Sequence, residues 1–144
     1  SRAAGNTASI GRGGLLALTT EGDDLPPAID LVCATLGDVV RIDERDQNVA
    51  AAVLGSGAAF MAVAADALRT AAQNHGLPAG PARRFALDTL ASAGDLLAEE
   101  SVDAPWAALV TPNGITAAGL AELSTQQTIT GRAVDAAVHR AHVG

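Results

Sequence analysis

Residues 111–116, with the sequence TPNGIT, combine a turn signal with groups that can bind a small anion. Proline followed by Asn-Gly marks a turn, and the residues after it favour a helix that begins there. The backbone N–H groups at the start of a helix have no partner within it and can bind a carboxylate or a phosphate, beside which Thr116 would place a hydroxyl. In the alternative interpretation, Thr111 or Asn113 only caps the helix and nothing binds.

Residues 50–60, AAAVLGSGAAF, look like the strand, turn and helix that open a dinucleotide-binding unit. Such a unit also needs a second strand that ends in Asp or Glu about 20 residues later. Here a long helical pattern, a Gly-Leu-Pro turn and another helical pattern follow instead. The sequence therefore favours a Gly-Ser-Gly helix start, where small residues allow close backbone approach, over a phosphate loop.

Other candidate chemistry is sparse. Asp135, His139 and His142 share one face of the last predicted helix, but no second cluster supports a metal site, so we expect a solvated face and no metal. All nine basic residues are arginine, which excludes a Schiff-base lysine. Cys33 lies among apolar residues and is predicted to be core.

The composition narrows the partners. A chain of 144 residues with a net charge of -7 suits one domain and disfavours nucleic acids and anionic membranes. No apolar run is expected to reach the roughly 20 residues of a membrane span, no secretory signal is visible, and the single cysteine makes the cytoplasm the default location. Only three residues are aromatic, so the core is thin and oligomerisation is expected to complete it.

Periodicity and turn signals predict a mainly α-helical fold with two short strands in front. The strands are expected at residues 13–20 and 39–43, with one short helix between them that ends at Gly37. The remaining helices are expected at residues 58–75, 79–100, near 103–110, 115–124 and 128–142. The first of these is apolar nearly all round, which is typical of a helix buried on several sides.

Four segments, in the same order, resemble the pyrroline-5-carboxylate reductase family. LGSGAAF (54–60) is similar to the family's SGSGPAY, and residues 75–97 to its Gly-Leu-Pro turn and long helix. VTPNGITAAGL (110–120) is similar to TSPGGTTIAGL, and RAAGNTAS (2–9) to the RAMPNTPA that ends the cofactor domain. The resemblance implies the family's C-terminal helical dimerisation domain at residues 21–144, preceded at residues 1–20 by a remnant of the cofactor-binding domain.

The resemblance also implies roles for individual residues. The loop of Asn113, Gly114 and Ile115 would hold the substrate carboxylate on backbone amides. Thr116 would hydrogen-bond the imine nitrogen, and Thr111 would support that hydroxyl. On the cofactor side, Asn6 would lie near the nicotinamide and Ser56 would have a weaker role, with NAD(P)H bound only if a nucleotide domain is supplied.

This chain departs from the family at the loop. Ile115 replaces a threonine and narrows the loop, and Trp106 adds an apolar wall. A larger or less polar cyclic imine would suit such a pocket. Three functions stay open: the substrate half of a homodimeric reductase, a stand-alone non-redox enzyme that acts on an imine, and a purely structural dimerisation module.

Overall fold

The computed structural model of the chain describes residues 2–6, 13–20, 26–99, 109–112, 114–123 and 126–143. These fall into two units, one formed by Ser1–Phe60 with Thr130–Gly144 and the other by Met61–Ile129. Helices dominate both units, and the strands lie in front of the long helices. The predicted fold class, mainly α with a short β element at the front, is confirmed.

The described sheet has three strands, one more than the sequence predicted. They are β1 (Arg2–Gly5), β2 (Gly14–Thr19) and β3 (Gly37–Arg41), in the order β1-β2-β3. β1 is antiparallel to β2, and β2 is parallel to β3 across the helix α1 (Pro27–Leu36), which supplies the crossover that parallel strands require. β1 has the sequence RAAG, without β-branched residues or alternation, so only its backbone pairing with β2 makes it a strand.

The core of the first unit lies around the central strand β2. Ala17, Leu18 and Thr19 are all buried, because a central strand is covered on both faces rather than on alternate residues. Cys33 of α1 is buried and free, which confirms its predicted place in the core. Ala52 and Gln47 complete this core from the helix that follows β3.

That helix is continuous from Glu44 to Asn74. It begins as a 3₁₀ turn, Glu44–Asp46, passes through α2 (Gln47–Ala50) and a π-helical segment, Ala51–Gly55, and continues as α3 (Ser56–Asn74). α3 thus begins at Ser56, within the predicted Gly-Ser-Gly helix start, but the continuous helix starts earlier, at the polar residues after β3. Gly55 faces the Gly5 carbonyl of β1, whereas a Cβ on Gly57 would meet nothing within 4 Å.

The remaining helices are α4 (Ala79–Glu99), α5 (Ile115–Glu122) and α6 (Gln126–Val143), close to the predicted ranges. α3 ends at a Schellman motif, in which Gly76 has a φ of 90° and the Leu77 amide donates to the Ala72 carbonyl at 3.0 Å. The short helix predicted near 103–110 falls almost entirely outside the described residues.

The helices bury alanines and expose larger apolar side chains. On α4, Ala82 and Ala86 are buried, whereas the larger Phe85 is 59% exposed. The stretch Glu44–Asn74 is long and apolar enough to cross a membrane, contrary to the sequence expectation, and little of it is buried. Length and composition alone are weak evidence, because core helices of other proteins pass the same test.

Gly37 is predicted to be irreplaceable. Its φ of 150° is rare for L side chains, and a Cβ there would lie 1.9 Å from the Gly14 carbonyl oxygen. Gly37→Ala should lower the free energy of unfolding by about 3 kcal/mol or more, because relief of the clash breaks the β2–β3 ladder. Chemical denaturation measures the loss, with Gly80→Ala, which meets nothing within 4 Å, as the control. Equal stability of Gly37→Ala and the unaltered chain would contradict the described pairing.

Candidate functional site

A tight turn leads into α5 and sets the geometry of the predicted anion site. The Gly114 amide donates to the Thr111 carbonyl at 2.9 Å, with Pro112 at the position that favours proline. Gly114 then takes extended backbone angles and serves as the N-cap residue of α5. A Cβ on Gly114 would lie 3.0 Å from the Thr111 carbonyl oxygen, so the turn leaves little room for a side chain here.

The start of α5 has no side-chain cap. The first bond of this helix joins the Ala118 amide to the Gly114 carbonyl at 3.2 Å, so the amides of Ile115, Thr116 and Ala117 precede the helical ladder. Thr111 contributes to the turn through its carbonyl, and the N-cap residue Gly114 has no side chain with which to cap the helix. Asn113 lies outside the described residues, so the alternative in which Thr111 or Asn113 only caps α5 stays open.

The side chains around this helix start are exposed. Thr111 and Thr116 are both exposed, and Ile115 is 95% exposed. Trp106, the predicted apolar wall, lies outside the described residues. The described part of the second unit therefore presents two hydroxyl groups and three helix-start amides on an open surface. This set of donors suits a carboxylate with a neighbouring hydrogen-bonding nitrogen.

The two predicted cofactor residues belong to the first unit and flank one backbone contact. A Cβ built on Gly55 would lie 4.0 Å from the carbonyl oxygen of Gly5. Asn6 follows Gly5 at the end of β1, and Ser56 follows Gly55 at the start of α3. Both side chains are half-buried. The residues that precede Asn6 and Ser56 thus approach each other through the backbone, and the shared role of the two residues near a nicotinamide stays a prediction.

Sequence reasoning missed the polar network that holds β1 in place. Gln47 is 1% exposed, and its side-chain amide donates to the Thr19 hydroxyl at 2.7 Å and to the Arg2 carbonyl at 3.1 Å. The Arg2 guanidinium in turn donates to Glu44 Oε1 at 2.7 Å and to Asn48 Oδ1 at 3.0 Å. No local pattern could have found Gln47, because a glutamine at a helix start is ordinarily solvated and its partners are 28 and 45 positions away.

The three candidate metal ligands of the last helix, Asp135, His139 and His142, lie on α6. His142 donates from Nδ1 to the Val138 carbonyl at 2.8 Å, which directs that ring nitrogen to its own helix. Across the described ranges, no group of three or more His, Cys, Asp or Glu side chains could hold a metal ion. The expectation that these three residues bind no metal stays a prediction.

Comparison with known proteins relates this fold to a family. A family model described as pyrroline-5-carboxylate reductase dimerisation matches residues 44–143. The chain belongs to this family. The resemblance first seen in four short motifs is thus confirmed, and the family match begins directly after the sheet, at the first turn of the long helix.

Individual relatives agree with this assignment. The pyrroline-5-carboxylate reductase of Thermus thermophilus is 35% identical over 124 residues, which are 85% of this chain and 47% of that protein. A solved pyrroline-5-carboxylate reductase from Coxiella burnetii matches with a TM-score of 0.84 at 28% identity, over 98% of this chain and 55% of that one. Pyrroline carboxylate reductase of Plasmodium falciparum, solved with NADP bound, has a TM-score of 0.74 at 23% identity over 89% of this chain and 55% of its own, and shows the fold alone.

The chain spans about half the length of these relatives. The family and the fold are therefore established, while the activity of a whole reductase is a matter for proposal. The division at residue 20 between a cofactor-domain remnant and the helical domain stays a prediction.

An ion pair on α3 gives a pH-dependent test of this helix. Arg69 Nε donates to Asp66 Oδ1 at 2.7 Å, and this hydrogen bond, opposed by burial and aided by the positive charge, holds the pKa of the carboxyl below its ordinary value of 3.8. Arg69 also donates to Gln73 and Thr70. The pair is exposed, so its effect on stability is small.

Asp66→Asn should lower the melting temperature slightly at neutral pH. A lowered folded-state pKa stabilises the fold above the unfolded pKa, and the stabilisation is lost as the pH falls through the folded value. The difference from the unaltered chain should therefore shrink below about pH 3.8 and vanish in stronger acid. Thermal melts at several pH values measure it, and a difference that persists unchanged in acid would contradict the ion pair.

Proposed function

We propose that this chain is the substrate-binding and dimerisation part of a pyrroline-5-carboxylate reductase-like enzyme. It binds a cyclic imine or a related amino acid for NAD(P)H-dependent reduction of the kind used in proline biosynthesis. The chain spans about half the length of its relatives, and in this proposal a separate nucleotide-binding domain supplies the rest of the cofactor site. The uncapped start of α5, behind the Thr111–Gly114 turn in a chain of this family, is the observation that carries the proposal.

The α5 start supplies the groups that the substrate needs. A ring carboxylate accepts hydrogen bonds from the amides of Ile115, Thr116 and Ala117, where the helix dipole also favours negative charge. The Thr116 hydroxyl then reaches the ring nitrogen, and Thr111 supports that hydroxyl. Because the chain has no lysine, the nitrogen is held by hydrogen bonds and not by a covalent Schiff base.

One described residue of the loop shapes substrate choice in this proposal. Ile115 carries a large apolar side chain at the first position of α5 and is 95% exposed. It favours a bulkier or less polar imine over the simplest one. Asn113 and Trp106, which the sequence also assigned to the substrate, lie outside the described residues.

The cofactor side rests on Asn6 and Ser56. The Asn6 amide and the Ser56 hydroxyl suit hydrogen bonds with the carboxamide of a nicotinamide ring. Gly5 and Gly55, which precede them, have no side chains to occupy the space for that ring. When bound, NAD(P)H supplies the hydride that reduces the C=N bond. Residues 50–60 continue a helix and do not form a phosphate loop, so this chain contacts only the nicotinamide end of the cofactor. The NADP-bound relative supports the choice of cofactor.

A homodimer in the cytoplasm accounts for the exposed apolar helices. Large apolar side chains on α3 and α4 stand out while alanines are buried, as when a partner helix supplies the remaining core. The same face explains why Glu44–Asn74 has the composition of a membrane span without crossing one. The acidic chain has no basic stripe, which supports the proposal that no nucleic acid binds.

The alternatives make different predictions. A non-redox enzyme would use Thr116 and Thr111 on the same imine and convert it without NAD(P)H, while a structural module would bind no imine. NMR spectra of pyrroline-5-carboxylate mixed with the chain, without NAD(P)H, separate the three. We expect broadened but chemically unchanged ligand signals. Conversion or accelerated C–H exchange with deuterium would favour the non-redox enzyme, and unaltered signals the structural module.

Thr116→Val should weaken the binding of pyrroline-5-carboxylate about tenfold. The change removes one hydrogen bond to the ring nitrogen, and the valine closely matches the shape of the threonine. A ligand titration followed by NMR gives the dissociation constant. Thr35→Val is the matched control, since the Thr35 hydroxyl bonds the Val32 carbonyl within α1 and touches no proposed ligand group. Unchanged affinity of Thr116→Val would reject the site assignment.

Val63→Glu should convert the dimer to monomers. Val63 is 70% exposed on α3, and a buried, unpaired carboxylate at a helix–helix interface opposes association. Sedimentation velocity measures the mass. Leu31→Glu on α1, where Leu31 is 67% exposed, controls for the loss of an equally exposed apolar residue and should stay dimeric. A dimer that survives Val63→Glu, or an unaltered chain that is monomeric, would contradict the proposed interface.

A further inference from the structure

The buried side-chain amide of Gln47 bonds to both members of a cross-strand pair at the start of β1. Two of the three acceptors of the Gln47 amide nitrogen, the Arg2 carbonyl and the Thr19 hydroxyl, belong to residues that lie directly opposite each other in the β1–β2 ladder; the third, the Ala17 carbonyl, lies at 3.5 Å. The Thr19 hydroxyl extends this hydrogen-bond network beyond β3 by donating to the Ile42 carbonyl at 3.2 Å. A slip of β1 by one residue would remove the Arg2 carbonyl from opposite Thr19 and leave this buried amide short of an acceptor, which is costly.

The exposed Arg2 side chain also binds the long helix at the start of β1. Its guanidinium donates to Glu44 and Asn48, which flank Gln47 on the helix. Both members of the Arg2–Glu44 pair are about half exposed, so the pair contributes little to stability. The planar Arg2 guanidinium nevertheless fixes the direction of the Arg2 side chain, because this one rigid group binds two separate acceptors. The start of β1 is therefore held against residues 44–48 through both its carbonyl and its side chain.

The register fixed at Arg2 also sets which helix residue lies beside the other end of β1, because β1 and the helix advance by similar lengths. Three strand steps from Arg2 to Gly5 span roughly 10 Å, and eight helical steps from Gln47 to Gly55 span roughly 12 Å. The Gly5 carbonyl accordingly lies beside Gly55. β1 runs along the helix in the same direction, pinned at its start and in backbone approach at its end. Asn6 and Ser56 are the next residue of each element.

We propose that Gln47 and Arg2 are positioning residues, which fix the register of β1 on the helix and so hold Asn6 beside Ser56. This role rests on the proposed function for its link to the nicotinamide, whereas the register itself does not. Neither residue touches the ligand. They act through the backbone of β1, about 10 Å from the groups that they align.

The test compares Gln47→Leu and Arg2→Met with the full, unaltered chain by NMR. The ligand-free readout is the cross-relaxation between the backbone protons of Gly5 and Asn6 and those of Gly55 and Ser56. The ligand readout is the shift of the Asn6 and Ser56 amides on addition of NADPH. Gln73→Leu is the matched control, because Gln73 lies on the same continuous helix and its side chain bonds only to Arg69 among the described contacts.

We expect Gln47→Leu to lose most of the cross-relaxation and to weaken the NADPH response about tenfold, with Gln73→Leu unchanged. The amide signals of Ile115 and Thr116, and their response to pyrroline-5-carboxylate, should not move in either variant, which separates positioning from general destabilisation. Arg2→Met changes an exposed side chain and decides the question if Gln47→Leu does not fold; it should lose part of the cross-relaxation. Full cross-relaxation in the folded variants would overturn the proposal.

The two proposals can fail separately. If the unaltered chain gives no NADPH response at Asn6 and Ser56, the proposed cofactor contact is overturned. The cross-relaxation of the variants then upholds or overturns the positioning role without reference to any ligand.

Discussion

The buried amide of Gln47 is the interaction on which the first unit depends. It is the largest fully buried side chain in the described structure, in a core otherwise made of Ala, Leu, Cys and Thr19. A buried amide is costly unless all of its hydrogen bonds are made, so it tolerates one arrangement of β1, β2 and the long helix. The apolar contacts around it are small and would accept several. The polar group therefore supplies specificity where the apolar core is too thin to provide it.

The second unit depends on a different constraint. Its described helices bury alanines and leave residues such as Phe85 and Val63 exposed, so the helices by themselves cover little apolar surface. Isolated helices gain most of their stability from packing of an apolar face. In the proposed homodimer, association covers these exposed apolar residues, which connects them with the family's dimerisation domain.

The proposed chemistry needs little from either core. The amides at the start of α5 are presented by a turn that Thr111 and Gly114 close through backbone atoms alone. Such a site accepts sequence variation around it, because the donors belong to the main chain. In the proposed site, a change at the exposed Ile115 side chain would leave these backbone donors in place.

The sequence by itself determined the helices, the second and third strands and the turn before α5, because local periodicity, glycine and proline act over a few residues. It also carried the family resemblance. From that resemblance came the candidate substrate residues, Thr116 and its loop, and the candidate cofactor residues, Asn6 and Ser56. Only the tertiary structure decided that β1 is a strand, that Gly55, Ser56 and Gly57 continue a helix, and that Gln47 is buried. These features depend on partners tens of residues away, which no local pattern encodes, and Trp106 and Asn113 lie outside the described residues.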